Sequence, residues 1–468
     1  MSRTLITILL ITGLNTNIKA QSQALQHYLT QIHFFLDQEG QWIAPNIGFR
    51  TEDSISTSYI GIDFAKGIHP NSIRLTTKKY LPYLSEWRIT GEMLFSWDAS
   101  KKQVLLYGTG ADGSVVSGES TLITATEMHF TSYRSDAGGK RTEQKEIFRL
   151  QQGNLEIGSS FKQNNTWGKE HTIRFTRMEQ PKGNLAFMTT RDGNFEVYSM
   201  DCKGENLKNL SCNKAIDYAF SFTPDKRLVF YTNRDGNDEI YIMDADGKKA
   251  SNLTNHPSSD RIPCVSPDGK QIAFLSDREE KSGKIYVMDT DGKNLRRLTN
   301  NGYFEDGPTW SPDGRKIVFT RELKDLKDTS RNAVGNGEVF IMDTDGTNEK
   351  QLTNKPGYDG GPIISPDGKQ IAFYGKSENG KYDIFIMDIE GNNLVNLTRD
   401  DTEDYSPSWS PDGKWIACTR GSSKNYDVWL IHLETGIKTR LTTQPKRDES
   451  PFWIPEYELV QWFMRLVV

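Results

Sequence analysis

The stretches Pro308-Thr-Trp-Ser-Pro-Asp-Gly314 and Pro407-Ser-Trp-Ser-Pro-Asp-Gly413 are nearly identical. Each is followed by a short apolar segment, Ile-Val-Phe at 317–319 and Ile-Ala-Cys at 416–418. Self-similarity of this kind in a long chain is typical of a repeat architecture. The spacing of further copies therefore decides the fold.

The apolar segment occurs six times, at spacings of 43, 44, 45, 54 and 45 residues. The copies begin at Leu185, Leu228, Ile272, Ile317, Ile371 and Ile416. Each copy is followed by a second strand and then by a turn that reads Asp-x-Asp-Gly in its best copies. A third strand, ending in Leu-Thr or Leu-Ser, comes next. With the Pro-x-Trp strand this makes four short strands joined by Gly and Pro turns, which is the pattern of one antiparallel blade. The sequence therefore predicts a six-bladed β-propeller over residues 181–468.

The two ends of the repeat indicate how the ring closes. The first unit lacks a leading Pro-x-Trp strand, whereas Ser450-Pro-Phe-Trp453 supplies a surplus one at the C-terminus. We expect this strand to complete the first blade. The fourth unit is longer than its neighbours, with the excess in residues 321–337. Loops that interrupt a repeat often carry function, so we expect this loop to touch any protein partner.

The Ser-Pro-Asp-Gly and Met-Asp-x-Asp-Gly motifs resemble the WD-like propeller repeat of the TolB family, which is also found in tricorn-type proteases and several propeller lyases. The resemblance extends over residues 185–453. It implies the fold and, more loosely, a binding function with an envelope partner, since one scaffold hosts many activities. TolB-like relatives have a different N-terminal domain, so the resemblance implies no specific role in the Tol system.

The N-terminus is typical of an exported protein. A short basic start precedes an apolar run over residues 5–14, and a cleavage site is expected after Ala20. We therefore predict a signal peptide at residues 1–20, a periplasmic or secreted location, and no transmembrane segment in the mature chain. Cys202, Cys212, Cys264 and Cys418 are predicted to be free thiols, because four cysteines in so long a chain are not a disulfide framework.

Residues 21–180 predict a separate β domain. A short helix is expected at Ser22–Phe35, followed by strands with period-two alternation, including a hairpin over residues 87–107. Gly40-x-Trp42, the long meander and the closing Arg-Phe-Thr-Arg177 resemble the lipocalin-like superfamily. The predicted fold class is thus all-β, a lipocalin-like antiparallel barrel or sandwich followed by the propeller. The resemblance implies a small apolar ligand, and the alternative is a barrel filled by its own side chains.

Charged residues recur at one face of the predicted propeller. The segments before Pro-x-Trp and after the apolar strand share this face because the two strands are antiparallel. The acidic positions are Asp217, Asp260, Glu305, Asp306, Asp359, Asp404 and Asp448. The basic positions are Arg191, Arg234, Arg278, Arg321, Lys376 and Arg420, with Lys324, Lys327 and Arg331 in the long loop. Two interpretations stay open: a partner-docking surface or Ca²⁺ site at the channel mouth, and carboxylates that merely cap turns and pair with arginines.

Catalytic patterns are sparse. His256 and His432 occupy different repeat positions, unlike the histidine cluster of propeller lyases. There is no Gly-x-Ser-x-Gly motif, and the Asp-x-Asp-Gly turns lack the further ligands of a calcium loop. We therefore predict no catalytic residue and no cofactor other than the alternative Ca²⁺.

The formal net charge of −5, with charges of both signs interspersed, argues against nucleic acid as a partner. We predict an exported, non-catalytic binding or scaffold protein that docks an envelope or extracellular protein through the charged propeller face. The alternative is a carbohydrate-active lyase or hydrolase, or a glycan-binding protein, that uses the propeller channel. Aromatic residues expected near the channel mouth favour that alternative because sugars stack on exposed rings, and packing between blades is the other interpretation of the same residues. They are Tyr303, Phe304, Tyr358 and Tyr405.

Overall fold

A computed structural model describes residues 41–45, 59–66, 72–81, 86–98, 100–101, 103–124, 126–151, 154–178, 181–279, 283–323, 336–422 and 425–455. The predicted signal peptide, the predicted helix Ser22–Phe35, and Lys324, Lys327 and Arg331 lie outside these residues. Every regular element in the described ranges is a β-strand, and they contain no helix suited to crossing a membrane. The chain divides into two units, residues 1–180 and 181–468.

The first unit is one antiparallel sheet of eleven strands. They are β1 (Gln41–Pro45), β2 (Tyr59–Lys66), β3 (Ser72–Leu81), β4 (Glu86–Asp98), β5 (Gln103–Gly110), β6 (Val115–Ile123), β7 (Glu127–Ser135), β8 (Arg141–Gln151), β9 (Asn154–Gln163), β10 (Thr166–Trp167) and β11 (His171–Met178). Neighbours along the chain pair from β1 to β9, and β11 pairs with both β9 and β1. The pairing therefore returns to its start, as expected for the predicted antiparallel barrel.

The core of the first unit follows from alternation along its strands. In β5 every second side chain is buried, including Val104 and Leu106. The rings of Phe95, Phe130 and Phe148 meet at centroid distances of 5.4 to 5.8 Å, edge to face. This core agrees with the alternative of a barrel packed by its own side chains, and the small apolar ligand stays a prediction.

The second unit consists of six four-stranded sheets. Its strands are β12 (Asn184–Thr189), β13 (Glu196–Asp201), β14 (Lys208–Asn209), β15 (Asp217–Phe222), β16 (Leu228–Thr232), β17 (Glu239–Met243), β18 (Ser251–Asn252), β19 (Asp260–Val265), β20 (Gln271–Ser276), β21 (Lys284–Asp289), β22 (Arg296–Arg297), β23 (Phe304–Trp310), β24 (Lys316–Glu322), β25 (Gly337–Asp343), β26 (Lys350–Gln351), β27 (Asp359–Ile364), β28 (Gln370–Lys376), β29 (Tyr382–Asp388), β30 (Val395–Asn396), β31 (Glu403–Trp409), β32 (Trp415–Ser422), β33 (Asn425–His432), β34 (Lys438–Arg440) and β35 (Asp448–Ile454).

The predicted six-bladed propeller and its closure are confirmed. Blade 1 has the strand order β14-β13-β12-β35, so the C-terminal strand β35 completes it. Blades 2 to 6 are β15–β18, β19–β22, β23–β26, β27–β30 and β31–β34. We call the first strand of each blade inner, because these strands contact one another around the ring, and the following strands second, third and outer.

The second and third strands are buried on both faces because each blade packs between two neighbours. In β16, Leu228, Val229 and Phe230 have no exposed surface, and every residue of β17 is buried. This explains why the repeated Ile-Ala-Phe segments are continuously apolar rather than alternating. All four cysteines are free thiols, as predicted.

The Ser-Pro-Asp-Gly motif forms the turn between inner and second strands. Ser311 Oγ donates to Asp313 Oδ1 at 2.6 Å and accepts the Lys316 backbone N–H at 2.9 Å. Gly314 closes the turn with φ of 70°, a conformation that favours glycine. The motif is therefore turn chemistry, repeated because the turn is repeated.

The Leu-Thr and Asp-x-Asp-Gly motifs join neighbouring strands and blades. Thr353 Oγ1 accepts the Val339 backbone N–H at 2.9 Å and donates to buried Glu338 at 2.6 Å. In the next blade, Gly391 lies so close to this segment that an added Cβ would be 2.8 Å from the Leu352 carbonyl oxygen. Glycine in the turn thus allows the blades to approach.

Candidate functional site

The channel mouth is the end of the propeller where inner strands begin and second strands end. One carboxylate stands at the start of each inner strand. These six are Asp448, Asp217, Asp260, Glu305, Asp359 and Asp404 in blades 1 to 6, and none has exposed surface. We call them the carboxylate ring. Its members face the interior of the blades, so the predicted acidic ring exists but lies below the surface.

In blades 1 to 3 the cation for the carboxylate ring follows the second strand. Arg234 reaches Asp217 at 3.0 Å, and Arg278 reaches Asp260 at 2.8 Å. The equivalent pair in blade 1 is Arg191 with Asp448 at 3.2 Å. In each of these blades the arginine also donates from Nε to a Thr or Ser two residues earlier.

In blades 4 and 6 the arginine lies within the second strand, directly opposite the carboxylate. Arg321 contacts Glu305 at 2.8 Å and Glu349 at 2.8 Å. Arg420 contacts Asp404 with one N–H group reaching both carboxylate oxygens at 2.9 Å. These two arginines are almost completely buried, and both ion pairs are shielded from solvent.

In blade 5 a lysine from a different position pairs with the buried carboxylate. The residue opposite Asp359 is Gly375, and the cation is Lys355, whose Nζ lies 2.5 Å from Asp359. A Cβ at Gly375 would come within 2.9 Å of that Nζ, so glycine makes room for the lysine. The basic position assigned to this blade from sequence, Lys376, lies one residue further on, and Lys355 takes the place expected for it.

Burial competes with these ion pairs. It raises the pKa of Asp359 to about 6 and that of Asp404 to about 7, and the neighbouring cation opposes the rise in both cases. Each cation also lies over an aromatic ring of the third strand. The ring-to-cation distances are 4.6 Å for Tyr198, 4.9 Å for Tyr241, 5.3 Å for Tyr286, 4.7 Å for Phe340, 4.8 Å for Phe385 and 5.5 Å for Trp429.

The carboxylate ring thus agrees with the second sequence interpretation, in which carboxylates pair with basic side chains inside each blade. Direct contact with a partner requires exposed atoms, which these carboxylates lack. Their predicted role in partner binding, and that of their arginines, stays a prediction. So does Ca²⁺ binding: among the described residues no group of three or more His, Cys, Asp or Glu is placed to hold a metal ion.

A β-bulge follows the carboxylate ring in every inner strand. In five blades it contains a residue with positive φ directly before a proline, namely Ile262, Gly307, Gly361, Ser406 and Ser450. The residue just after each carboxylate lies on the opposite face of the inner strand, because successive side chains of a strand alternate, and the inner strands line the channel. These channel-facing residues are Glu449, Tyr218, Arg261, Asp306, Gly360 and Tyr405 in blades 1 to 6.

Five tyrosines gather at one side of the channel mouth. We call Tyr358, Tyr374, Tyr382, Tyr405 and Tyr426 the tyrosine cluster. The ring of Tyr405 is the hub, with centroids 5.2 Å from Tyr382, 5.4 Å from Tyr374 and 5.9 Å from Tyr426. Tyr358 stacks on Tyr374 at 6.1 Å. All five side chains are half-buried, so their rings combine packing with access from the channel.

A cavity of about 250 Å³ opens beside this cluster. It is lined by Tyr374, Tyr405, Ser406, Thr419, Tyr426, Arg447, Glu449 and Ser450. Arg447 lies over the ring of Tyr426 at 5.1 Å and contacts Glu449 at 2.5 Å. Glu449 also accepts a hydrogen bond from the hydroxyl of Tyr218. We call this cavity the tyrosine pocket.

Asp306 is the other carboxylate that faces the channel. Burial raises its pKa to about 6, while the Tyr358 hydroxyl, 3.4 Å away, partly offsets the rise. Asp306 is the one predicted acidic position that is not completely buried. It therefore differs from its neighbour Glu305, although the sequence presented them as a pair.

The two propeller histidines are engaged locally. His256 Nδ1 accepts the Ser258 backbone N–H at 3.1 Å, and His432 Nδ1 lies 2.9 Å from the Thr435 hydroxyl. They lie in blades 2 and 6, and the structure does not bring them together with the tyrosine pocket.

Sequence reasoning found Tyr358 and Tyr405 but missed Tyr374, Tyr426, Arg447 and Glu449. Glu449 directly follows a carboxylate-ring residue, so its channel position had a local signal. Tyr374 and Tyr426 come from the end of a second strand and the start of a third strand. Tyr426 lies in the same blade as Tyr405, whereas Tyr374 meets Tyr405 only when blades 5 and 6 stack. Of the other two aromatic residues named from sequence, Tyr303 is 40% exposed outside the pocket and Phe304 packs near Gly283.

Comparison with known proteins gives one family match. A family model described as the TolB beta propeller domain matches residues 221–334 and 327–466. None of the curated proteins matches the chain significantly.

Several solved structures are similar to this chain at low sequence identity. TolB from Acinetobacter baumannii is 18% identical, with a TM-score of 0.51, over 66% of this chain and 82% of that one. A putative TolB from Agrobacterium tumefaciens is 20% identical, with a TM-score of 0.45, over 58% and 92%. Oligogalacturonate lyase from Vibrio parahaemolyticus is 15% identical, with a TM-score of 0.40, over 57% and 73%.

Proposed function

Because this chain belongs to the TolB beta propeller domain family, we propose that it is an exported, non-catalytic binding protein that docks an envelope or extracellular protein through the channel mouth. Export rests on the predicted signal peptide at residues 1–20 and places the chain in the periplasm or outside the cell.

One observation carries the docking proposal. The charges of the carboxylate ring are neutralised inside the blades, whereas the surrounding loops carry exposed charges of both signs. Glu279, Glu378 and Arg399 are examples, with side chains 57%, 97% and 81% exposed. Exposed charges around an opening steer a partner with the complementary pattern and set the register of docking. We call these loops the charged rim.

The described ends of the long loop of blade 4 lie at the same end of the propeller as the charged rim. These ends, Leu323 and Asn336, are joined by a backbone hydrogen bond of 2.9 Å. A deletion of residues 324–335 can therefore be bridged by a short glycine linker without separating β24 from β25. The deletion also removes Lys324, Lys327 and Arg331.

The test is affinity capture from the native envelope with the full chain and with the 324–335 deletion. We expect a protein partner that the full chain retains, that the deletion loses, and that is released as salt is raised, because rim charges are screened. A control variant, Asp291→Ser with Lys293→Ser, alters an exposed ion pair at the opposite end of blade 3 and should capture normally. Equal capture by the deletion and the full chain would contradict docking through this loop.

Glycan binding in the channel is a second candidate, and the tyrosine cluster is the observation that favours it. Ligand sites combine aromatic walls with a few polar groups that fix orientation, and the tyrosine pocket has both. The described pocket residues offer rings, hydroxyls and one ion pair, which suits binding more than turnover.

A further inference from the structure

We propose that the tyrosine pocket binds a single neutral sugar ring of an oligosaccharide or polysaccharide, an inference that rests on the second candidate function. The pocket lies where the propeller closes, between the inner strands β31 and β35 and beside the ends of β28 and β32. Its ligand class follows from the chemistry of the eight lining residues.

The aromatic wall of the pocket has a shape that suits a sugar ring. Tyr405 meets Tyr374 and Tyr426 edge to face, with interplanar angles of 67° and 80°. Three rings in different planes therefore enclose one concave corner. Tyrosine combines an apolar ring with a hydroxyl that needs a hydrogen-bond partner. A pyranose ring has the matching pair of surfaces, an apolar face of C–H groups and an edge of hydroxyls.

Several hydroxyl groups lie together at the pocket wall. Ser406 and Ser450, the bulge residues of blades 6 and 1, place their Oγ atoms 3.3 Å apart at the pocket wall. Thr419 Oγ1 accepts the Ser450 backbone N–H at 2.7 Å and so fixes this part of the wall. Hydroxyls both donate and accept, which suits a ligand whose own groups do both. Within the described part of the chain, no Leu, Ile, Val or Met lines the pocket, so an aliphatic side chain of a protein partner would find no matching surface.

The charged residues that line the pocket favour a neutral ligand. Two of the described lining residues are charged, Arg447 and Glu449, and they neutralise each other at 2.5 Å. A site for an acidic sugar would need a cation without an acidic partner, since burying a ligand carboxylate is costly otherwise. The paired guanidinium keeps further N–H donors for neutral hydroxyls, because arginine has five. The pocket therefore favours a neutral hexose or N-acetylhexosamine ring over a uronate.

The volume of the pocket matches a single sugar ring. A volume of about 250 Å³ is below the range of ~300–1,000 Å³ typical of drug-sized ligands. It suits one sugar ring, and the neighbouring units of a chain would then lie along the open channel mouth. Tyr358 and Asp306, further around the mouth, are placed to meet such units.

The test uses the full chain on an array of neutral oligosaccharides (α- and β-glucans, mannans and N-acetylglucosamine oligomers) with oligogalacturonate as the acidic probe. Titration calorimetry then gives the affinity for the best probe. We expect a neutral probe to bind best and Tyr405→Ala to weaken it at least tenfold. Tyr405→Phe, which keeps the ring, should retain binding within about threefold. Tyr303→Ala, an exposed tyrosine outside the pocket, is the matched control and should bind normally.

A second variant tests the charge argument by gain of binding. Glu449→Gln keeps an acceptor for the Tyr218 hydroxyl but leaves the charge of Arg447 unpaired. We expect this variant to bind oligogalacturonate at least fivefold more tightly than the unaltered chain does. Unchanged binding of oligogalacturonate would contradict the role given to the ion pair.

Each negative result of these binding experiments would overturn a different statement. Preference of the unaltered chain for oligogalacturonate would overturn the neutral class while leaving glycan binding in place. Neutral binding that Tyr405→Ala leaves unchanged would overturn the pocket. Absence of binding to every probe would overturn both this inference and the second candidate function. None of these outcomes bears on protein capture through the charged rim.

Discussion

Two adjacent positions on the inner strands behave in opposite ways around the ring. The first holds Asp or Glu in all six blades, always buried beside a cation. The next holds five kinds of residue: Glu449, Tyr218, Arg261, Asp306, Gly360 and Tyr405. One faces the interior between blades, and the other faces the channel. In this molecule repetition marks structural chemistry, and departure from repetition marks the surface available to a ligand.

The carboxylate ring should therefore be far less tolerant of change than the channel position. We expect Glu305→Ala to lower the free energy of unfolding by about 3–5 kcal/mol, because it removes the completely buried one of the two carboxylates that pair with Arg321. Denaturant unfolding followed by tryptophan fluorescence measures the loss. Glu390→Ala, which breaks an exposed ion pair with Lys350, should cost less than about 1 kcal/mol. Similar losses in the two variants would remove the distinction between buried and exposed pairs.

At the neighbouring channel position, removing a carboxylate should stabilise the protein. The pKa of Asp306 is raised to about 6 in the folded chain. Between about pH 4 and pH 6 the folded chain therefore keeps a proton on this carboxyl group that the unfolded chain has lost. Stability due to this group is thus lost as pH rises from about 4 to about 6. We expect Asp306→Asn to gain about 1–3 kcal/mol at pH 7.5 and nothing below pH 4. Unfolding curves at pH 4, 5.5 and 7.5 measure it, and a gain independent of pH would contradict the assignment.

The smallest expected loss of stability concerns a hydrogen bond between blades 1 and 2, where the ring closes. The hydroxyl of Tyr218 in blade 2 donates to Glu449 in blade 1. We expect Tyr218→Phe to cost about 1 kcal/mol, the usual value of one hydrogen bond. Tyr231→Phe is the matched control, since Tyr231 stacks on Tyr218 at 5.6 Å but has no carboxylate partner among the described residues. Its loss should be below about 0.5 kcal/mol, and equal losses would argue against the hydrogen bond.

The fold could be predicted largely because its determinants are local. The hairpin expected over residues 87–107 matches β4 and β5, where Asp98 accepts the Ser100 backbone N–H at 2.9 Å in the turn. The blade count, the turn motifs and the closing strand followed from the same kind of short-range chemistry. Each requires only residues within one hairpin or a count of repeats.

The candidate site was predicted only in part, because it depends on contacts between blades. The substitution of Lys355 for the expected Lys376 follows from Gly375, whose missing side chain makes space that no sequence spacing indicates. The tyrosine cluster combines Tyr358, from the connection between blades 4 and 5, with residues from several strand positions of blades 5 and 6. The burial of the carboxylate ring likewise follows from alternation combined with stacking, and neither is visible along one strand alone.

The strand β35 belongs to blade 1, yet it is made after every other strand of the propeller. Until it arrives, β12 has one edge without a partner, and Phe452 is absent from the core between blades 1 and 2. A ribosome that stops early therefore releases a ring with an open strand edge, which is a template for pairing with other chains. The propeller is thus complete only once β35 has been made, and chains that lack this strand expose a feature that distinguishes them from chains that have it.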